Sequence, residues 1–299
     1  MFHYRLYCTD ILSDMELYQP RVGDGNPDPD NTITIREGKM PEEYKFDRDC
    51  YSYIKPDCCY LSNSICYLYI PDGNTLIYEK KPDHDYKNLA NYLLGWGISM
   101  VFYRRVTAII HCSALYNDKG AILISGQSGA GKSTVTTGLL DKGLKFLADD
   151  TSAVTVRGTE AYATPCYPYR KLCRDVVVAR NLNIDDLLYI DEDKDKFMVP
   201  WTDFFPDYPI KVAALFYVEL SQEDSEVRIE EITGFAKMSY IYGSLFLSRL
   251  LRPGDQDKFL FQMCLSLAGS IKVFRVTRPI ERDTREELPN VIYDTISTL

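Results

Sequence analysis

A chain of 299 residues, 45% of them hydrophobic and 26% charged, has the make-up of a soluble globular protein with room for one large or two ordinary cores. Its net charge of −9 argues against a nucleic-acid backbone as partner, because phosphate binding on that scale needs a basic field. Nine cysteines without a C-x-x-C pair read as reduced thiols, and three histidines argue against a dedicated zinc site.

The opening stretch, MFHYRLYCTDILSDMEL, carries acidic residues where a secretory signal has its apolar core. Residues 1–85 read as a β-rich region: NTITIREG and SICYLYIPDGNTLIYEK alternate polar and apolar residues around Asp-Gly and Gly-Asn breaks, with PRVGDGNPDPDN as a loop. From Tyr86, YKNLANYLLGWGISMVFYRRV has helical spacing. Its longest apolar run, Leu93 to Phe102, falls short of the roughly 20 residues of a membrane span, so a cytoplasmic protein without membrane contact is expected.

The pattern then becomes strand, strand, helix, strand, the α/β organisation expected of residues 86–299. In the C-terminal third, VAALFYVEL and SEVRIEEI read as strands. FAKMSYIYGSLFLSRLL and QDKFLFQMCLSLAG read as helices, followed by the strand IKVFRVT and a last helix after Thr284. The twenty-three tyrosines are dispersed, as packing residues with a surface hydroxyl would be.

The chemistry concentrates between residues 111 and 175. GQSGAGKS, residues 126–133, fits the phosphate-binding pattern G-x-x-x-x-G-K-[ST]. An apolar strand, GAILIS, precedes it, and the helix KSTVTTGLLDKG follows and stops at Gly143. Gly126, Gly129 and Gly131 allow backbone N–H groups to turn inward around anionic oxygens, with Ser128 and Ala130 between them, and the helix N-terminus adds its positive dipole end. Lys132 would reach the β- and γ-phosphates, the Ser133 hydroxyl would ligate Mg²⁺, and Thr134 completes the nucleotide site.

The strand LKFLA returns from the helix and ends at Asp149-Asp150. In a strand–helix–strand unit both strands point the same way, so the two carboxylates emerge beside the loop. One can hold Mg²⁺ while the other takes a proton from an attacking hydroxyl. TAIIHCSALY and GAILIS, joined by NDK, read as an antiparallel hairpin that sets His111 opposite Ile124 to Gly126; a core histidine is the equal alternative. Arg170, Lys171 and Arg174 in PCYPYRKLCRD cluster cations within an acidic chain, either to clamp an anionic acceptor or as a solvated basic loop.

The run from His111 through GQSGAGKS to Ala148-Asp149-Asp150, with YPYRKLCRD after it, resembles the catalytic core of the HPr serine kinase/phosphorylase family and its stand-alone kinase relatives. Phosphoenolpyruvate carboxykinases share a distantly similar nucleotide site. The resemblance covers about residues 87–175 and implies a P-loop kinase core with a mixed sheet and flanking helices behind the β-rich N-terminal region. It implies ATP and Mg²⁺ at Gly126–Thr134, Asp149 as the base, Asp150 assisting it or the metal, and His111 in the active site. Thr134 stands where HPr kinases have glutamate, and only Arg157-Gly158 is left of a later signature, so an acceptor other than HPr is expected.

The expected activity is therefore ATP- and Mg²⁺-dependent phosphorylation of a hydroxyl, on a serine or a small alcohol. A carboxykinase-like enzyme and a nucleotide sensor without chemistry are the rivals. The first would need more metal ligands, and the second would not need the aspartate pair. The N-terminal region could serve as a docking face or lid, and an oligomer stays open.

Overall fold

The computed structural model describes the chain except residues 18, 20, 23, 24, 46–50, 56, 83–88, 191–194, 202–204 and 251–257. The first three residues of the helix expected from Tyr86 thus lie outside the described residues. By contacts the chain forms two compact units, Met1–Ile109 with Phe246–Phe259, and Ile110–Leu245 with Leu260–Leu299. This division falls later than residue 85. The helical segment after it packs on the N-terminal sheet so closely that a Cβ at Gly97 would lie 2.4 Å from Leu76. Among the described residues no helix is long and apolar enough to cross a membrane.

The first unit is a seven-stranded mixed sheet. Its strands are β1 (Phe2–Leu6), β2 (Thr9–Ser13), β3 (Thr32–Glu37), β4 (Tyr51–Ile54), β5 (Cys59–Ser62), β6 (Cys66–Ile70) and β7 (Thr75–Lys80), in the order β1-β2-β3-β7-β6-β5-β4. β3 runs parallel to both β2 and β7, and the other neighbours are antiparallel. Alternating burial along β6 gives the sheet one core face. The β6–β7 turn is set by Asp72, whose carboxylate accepts from the Asn74 N–H at 2.7 Å. Helix α1 (Leu89–Tyr92) runs through a π-helical turn, Leu93–Gly97, into α2 (Ile98–Arg104).

After the short strand β8 (Ala108–Ile110), the second unit is built on β9 (Ser113–Asn117), β10 (Gly120–Gly126), β11 (Lys145–Ala148) and β17 (Ile210–Ser221) in the order β11-β9-β10-β17. Between β11 and β17 in the chain come β12 (Ser152–Arg157), β13 (Glu160–Thr164), β14 (Tyr169–Cys173), β15 (Leu188–Ile190) and β16 (Lys196–Pro200); β18 (Arg228–Ile232) and β19 (Lys272–Pro279) follow. The start of β17 pairs with β13, and its remainder pairs in parallel with β19. β10 is parallel to β17 and antiparallel to β9, and β9 is antiparallel to β11. β10 and β11 therefore point the same way with β9 inserted between them, so both end at one edge of the sheet. A second small sheet, β14-β16-β15, is antiparallel.

Two helices, α3 (Lys132–Asp141) and α7 (Glu287–Ser297), share the core with Ile122, Ile124, Phe146, Phe216 and Phe274. They approach closely because Gly138 has no side chain: a Cβ there would meet Pro289 at 2.6 Å. The result is a mixed α/β chain with few helices for its strands, which include α4 (Arg174–Ala179), α5 (Lys237–Ser244) and α6 (Lys258–Ser270).

Two expectations change. TAIIHCSALY is not one strand: it breaks at His111-Cys112 into β8 and β9, because the His111 N–H donates to the Ser244 carbonyl at 2.7 Å and Ile110 bridges Leu245. FAKMSYIYGSLFLSRLL is likewise not one helix. α5 stops at Ser244, Leu245 turns extended, and a 3₁₀ turn follows at Phe246–Leu250.

Candidate active site

The loop at the end of β10 has the backbone that its glycines permit. Gly126, Gly129 and Gly131 have φ of +137°, +80° and +104°, values costly for any side chain. At Gly126 space also forbids one, since a Cβ would sit 2.0 Å from the Val218 carbonyl oxygen on β17. The loop closes on itself through the Ala130 N–H, which donates to the Gln127 carbonyl at 3.2 Å, and Ala130 is fully buried. Gly131 caps α3, and the Val135 N–H donates back to its carbonyl. The Lys132 ammonium lies over the loop, donating to the Gly126 and Gln127 carbonyls at 2.9 Å each. Ser133 is exposed at the helix start and Thr134 half-buried beside it.

Sequence reasoning missed Arg278. It sits near the end of β19, two strands from β10, and its guanidinium donates to the carbonyls of Ala130 at 2.9 Å and Gly129 at 3.2 Å. A cation thus holds two carbonyls of the glycine loop in place. The available signal was an arginine at the end of a strand, too common to single out. Arg278→Ala is expected to loosen the loop and weaken phosphate-ligand binding by about 10-fold, the scale of a lost charged hydrogen bond. Titration calorimetry with MgADP checks it.

At the neighbouring end of β11 the two aspartates divide. Both oxygens of Asp149 are engaged: Oδ1 accepts from the Ser113 hydroxyl at 2.9 Å and the Asp150 N–H at 3.1 Å, and Oδ2 from the Lys171 N–H at 2.9 Å. Asp149 thereby ties β9, β11 and β14 together. Asp150, two residues beyond the end of β11, has φ +70°, in the left-handed region. Its Oδ2 lies 3.3 Å from the Lys171 ammonium and its Oδ1 lies 3.5 Å from His111 Nδ1. Burial pushes the Asp150 carboxyl upward in pKa, but Lys171 and then His111 outweigh it and hold the group below the ordinary carboxylate range.

His111 joins this carboxylate to the loop, since its carbonyl accepts from the Ser125 hydroxyl at 2.9 Å, one residue before Gly126. The break in the expected strand is what sets the histidine there. The structure thus brings His111, Asp149, Asp150 and Lys171 to the sheet edge where the loop begins.

The other two members of the basic cluster lie apart. Arg170 is only 1% exposed, with its guanidinium over the Trp201 ring and donating to Thr137 on α3 at 3.2 Å. Burial lowers its pKa while the Asp149 carboxylate opposes that. Arg174 is on the surface, bound to Asp195 through two hydrogen bonds of 2.6 and 3.0 Å. Strand alternation explains the split: successive residues of β14 face opposite sides, so Arg170 and Lys171 cannot share one site.

No family model matches the chain, and no curated protein matches it. Among solved structures, it is similar to the HPr(Ser) kinase/phosphatase from Coxiella burnetii. The sequences are 16% identical, the match covers 64% of this chain and 94% of that one, and the TM-score is 0.31.

Proposed function

We propose that the chain is an ATP- and Mg²⁺-dependent kinase that transfers the γ-phosphoryl group to an alcohol. The observation that carries this reading is the pairing of the glycine loop and Lys132 with an ionised carboxylate, Asp150, at one sheet edge. Three positive-φ glycines, a helix N-terminus and an ammonium fit a polyphosphate. Ser133 is the loop side chain that would hold Mg²⁺, which would supply charge neutralisation to the phosphates when bound.

Asp150 takes the proton of the acceptor hydroxyl as that oxygen bonds to the γ-phosphorus. The bond from phosphorus to the β-phosphate bridging oxygen breaks, and ADP leaves. Asp149, with every oxygen already accepting a hydrogen bond, serves as the anchor that fixes Asp150 and the backbone of Lys171. This reading exchanges the two aspartates relative to the family resemblance. It also favours a proton acceptor over a metal ligand at Asp150, whose oxygens already face the Lys171 ammonium and His111 Nδ1.

The test begins with nucleotide binding. Saturating MgATP at about 100 times Kd should stabilise the protein by about 2.7 kcal/mol, and Lys132→Ala should lose most of that shift. Thermal melts of both proteins check it. A variant stabilised as strongly as the parent would refute the phosphate-loop reading.

A further inference from the structure

A cavity of about 530 Å³ runs along α3 from Ser133 and Thr134 at its upper end. Lys171 and Lys196 contribute to its wall, as do Cys173, Gly138 and Pro289. The two lysines face the same side for a topological reason. Lys196 on β16 pairs directly with Cys173 on β14, and Lys171 lies two residues from Cys173, hence on the same face. Lys171 is the residue 3.3 Å from Asp150, and the Lys196 charge also acts on that carboxylate.

Resting on the kinase reading above, we infer that this cavity binds the acceptor, and that the acceptor is a small alcohol carrying a carboxylate or phosphate. Size argues for a small molecule, because cavities of roughly 300–1,000 Å³ enclose ligands of that class. A folded protein could offer it no more than a protruding tip. Charge argues for an anion: Lys171 and Lys196 line one wall of the cavity, which also carries Lys142, Asp141 and Glu286, and Lys171 connects that wall to the Asp150 carboxylate 3.3 Å away. An acceptor with its hydroxyl at Asp150 and its anionic group between Lys171 and Lys196 meets both. Arg170 and Arg174 have no part in this, being turned to Thr137 and Asp195. Arg285 is at the rim and already bound to Asp283.

The experiment follows ADP release from MgATP with D-glycerate, glycerol 3-phosphate, glycerol and a serine-containing peptide. The anionic alcohols should be used at lower KM than glycerol. Lys196→Glu should raise their KM by about 10-fold or more, as for a lost charged contact, and leave the KM for ATP within about 2-fold. Lys196→Met, which removes charge without adding one, should give a smaller rise in the same direction. A parallel binding arm measures thermal stabilisation by glycerol 3-phosphate alone, which Lys196→Glu should abolish.

Several results would overturn the inference. A raised KM for ATP alone would make the cavity a nucleoside pocket. Equal use of glycerol and its phosphate would remove the anion requirement. Transfer to the peptide only would make the acceptor a polypeptide, and no binding by either anion in the presence of MgATP would empty the site. If MgATP failed to stabilise the parent while glycerol 3-phosphate still bound through Lys196, the nucleotide reading would fall and the anion cavity would stand.

Discussion

Asp150→Asn should cut phosphoryl transfer by about 10²–10⁴-fold, the range for removing a general base, while MgATP still raises the melting temperature as it does for the parent. Asparagine keeps the shape and loses the proton-accepting charge. The side chain to be altered is the partly exposed one, facing Lys171 and His111, and its strand-to-strand contact is the 3.3 Å hydrogen bond from the Lys171 ammonium, which an asparagine oxygen can still accept. Asp149→Asn should behave differently. One of its oxygens accepts the Lys171 N–H and the other accepts two donors, so an amide NH₂ must oppose at least one N–H or O–H. That variant should lose thermal stability together with activity. Stopped-flow transfer rates beside melts of the two variants separate a base from an anchor.

The pH dependence follows from the same group. Lys171 and His111 hold the Asp150 carboxyl below its ordinary value of about 3.9, so the base stays ionised from pH 8 down past pH 5. The acid limb of kcat attributable to it should lie below about pH 4. Lys171→Met removes the largest opposing cation and should move that limb upward. Because the folded-state pKa is the lower one, the associated stability is complete above the unfolded-state pKa. It is lost as pH falls through the folded-state value.

Gly126→Ala should destabilise the second unit by about 3 kcal/mol or more, a fall in Tm of roughly 6–12 °C, since two named mechanisms act at once. The backbone has φ +137°, outside the range of an L side chain, and the new methyl would lie 2.0 Å from the Val218 carbonyl oxygen. Relief requires separating β10 from β17, the central parallel pair of the sheet. Gly129→Ala supplies the contrast: its φ is +80° but no atom lies within 4 Å of the added Cβ. It should cost about 1–2 kcal/mol of backbone strain, with no clash. Calorimetric melts of the two variants measure the difference.

Much of the strand–loop–helix element was legible because its causes are contiguous. A buried apolar strand, glycines at the turns and a helix stop at Gly143 all act through neighbouring residues, and the structure follows them at Gly120–Gly126, Lys132–Asp141 and Gly143 with φ +92°. The return to Asp149-Asp150 at the same sheet edge was legible too. It depends only on helix and strand lengths, and it survives the insertion of β9 between the two strands. The break at His111 was not legible, because its cause is a carbonyl at Ser244, 133 residues on, which takes the N–H that a hairpin would have used.

The sequence by itself determined a glycine-lined loop between a strand and a helix, with two carboxylates returning beside it, since local φ preferences and element lengths suffice for that. Tertiary structure alone decided which carboxylate is available. Asp149 and Asp150 are adjacent and chemically identical, and they differ through Ser113 and Lys171, brought in from other strands, and through His111 at the break between β8 and β9. It also decided that Arg278 holds the loop from 148 residues away, and that Arg170 is buried while Lys171, beside it, lines the cavity. The physical reason is the same each time. Side-chain direction and burial are set by strand pairing between distant segments, and a one-residue step along a strand reverses the face.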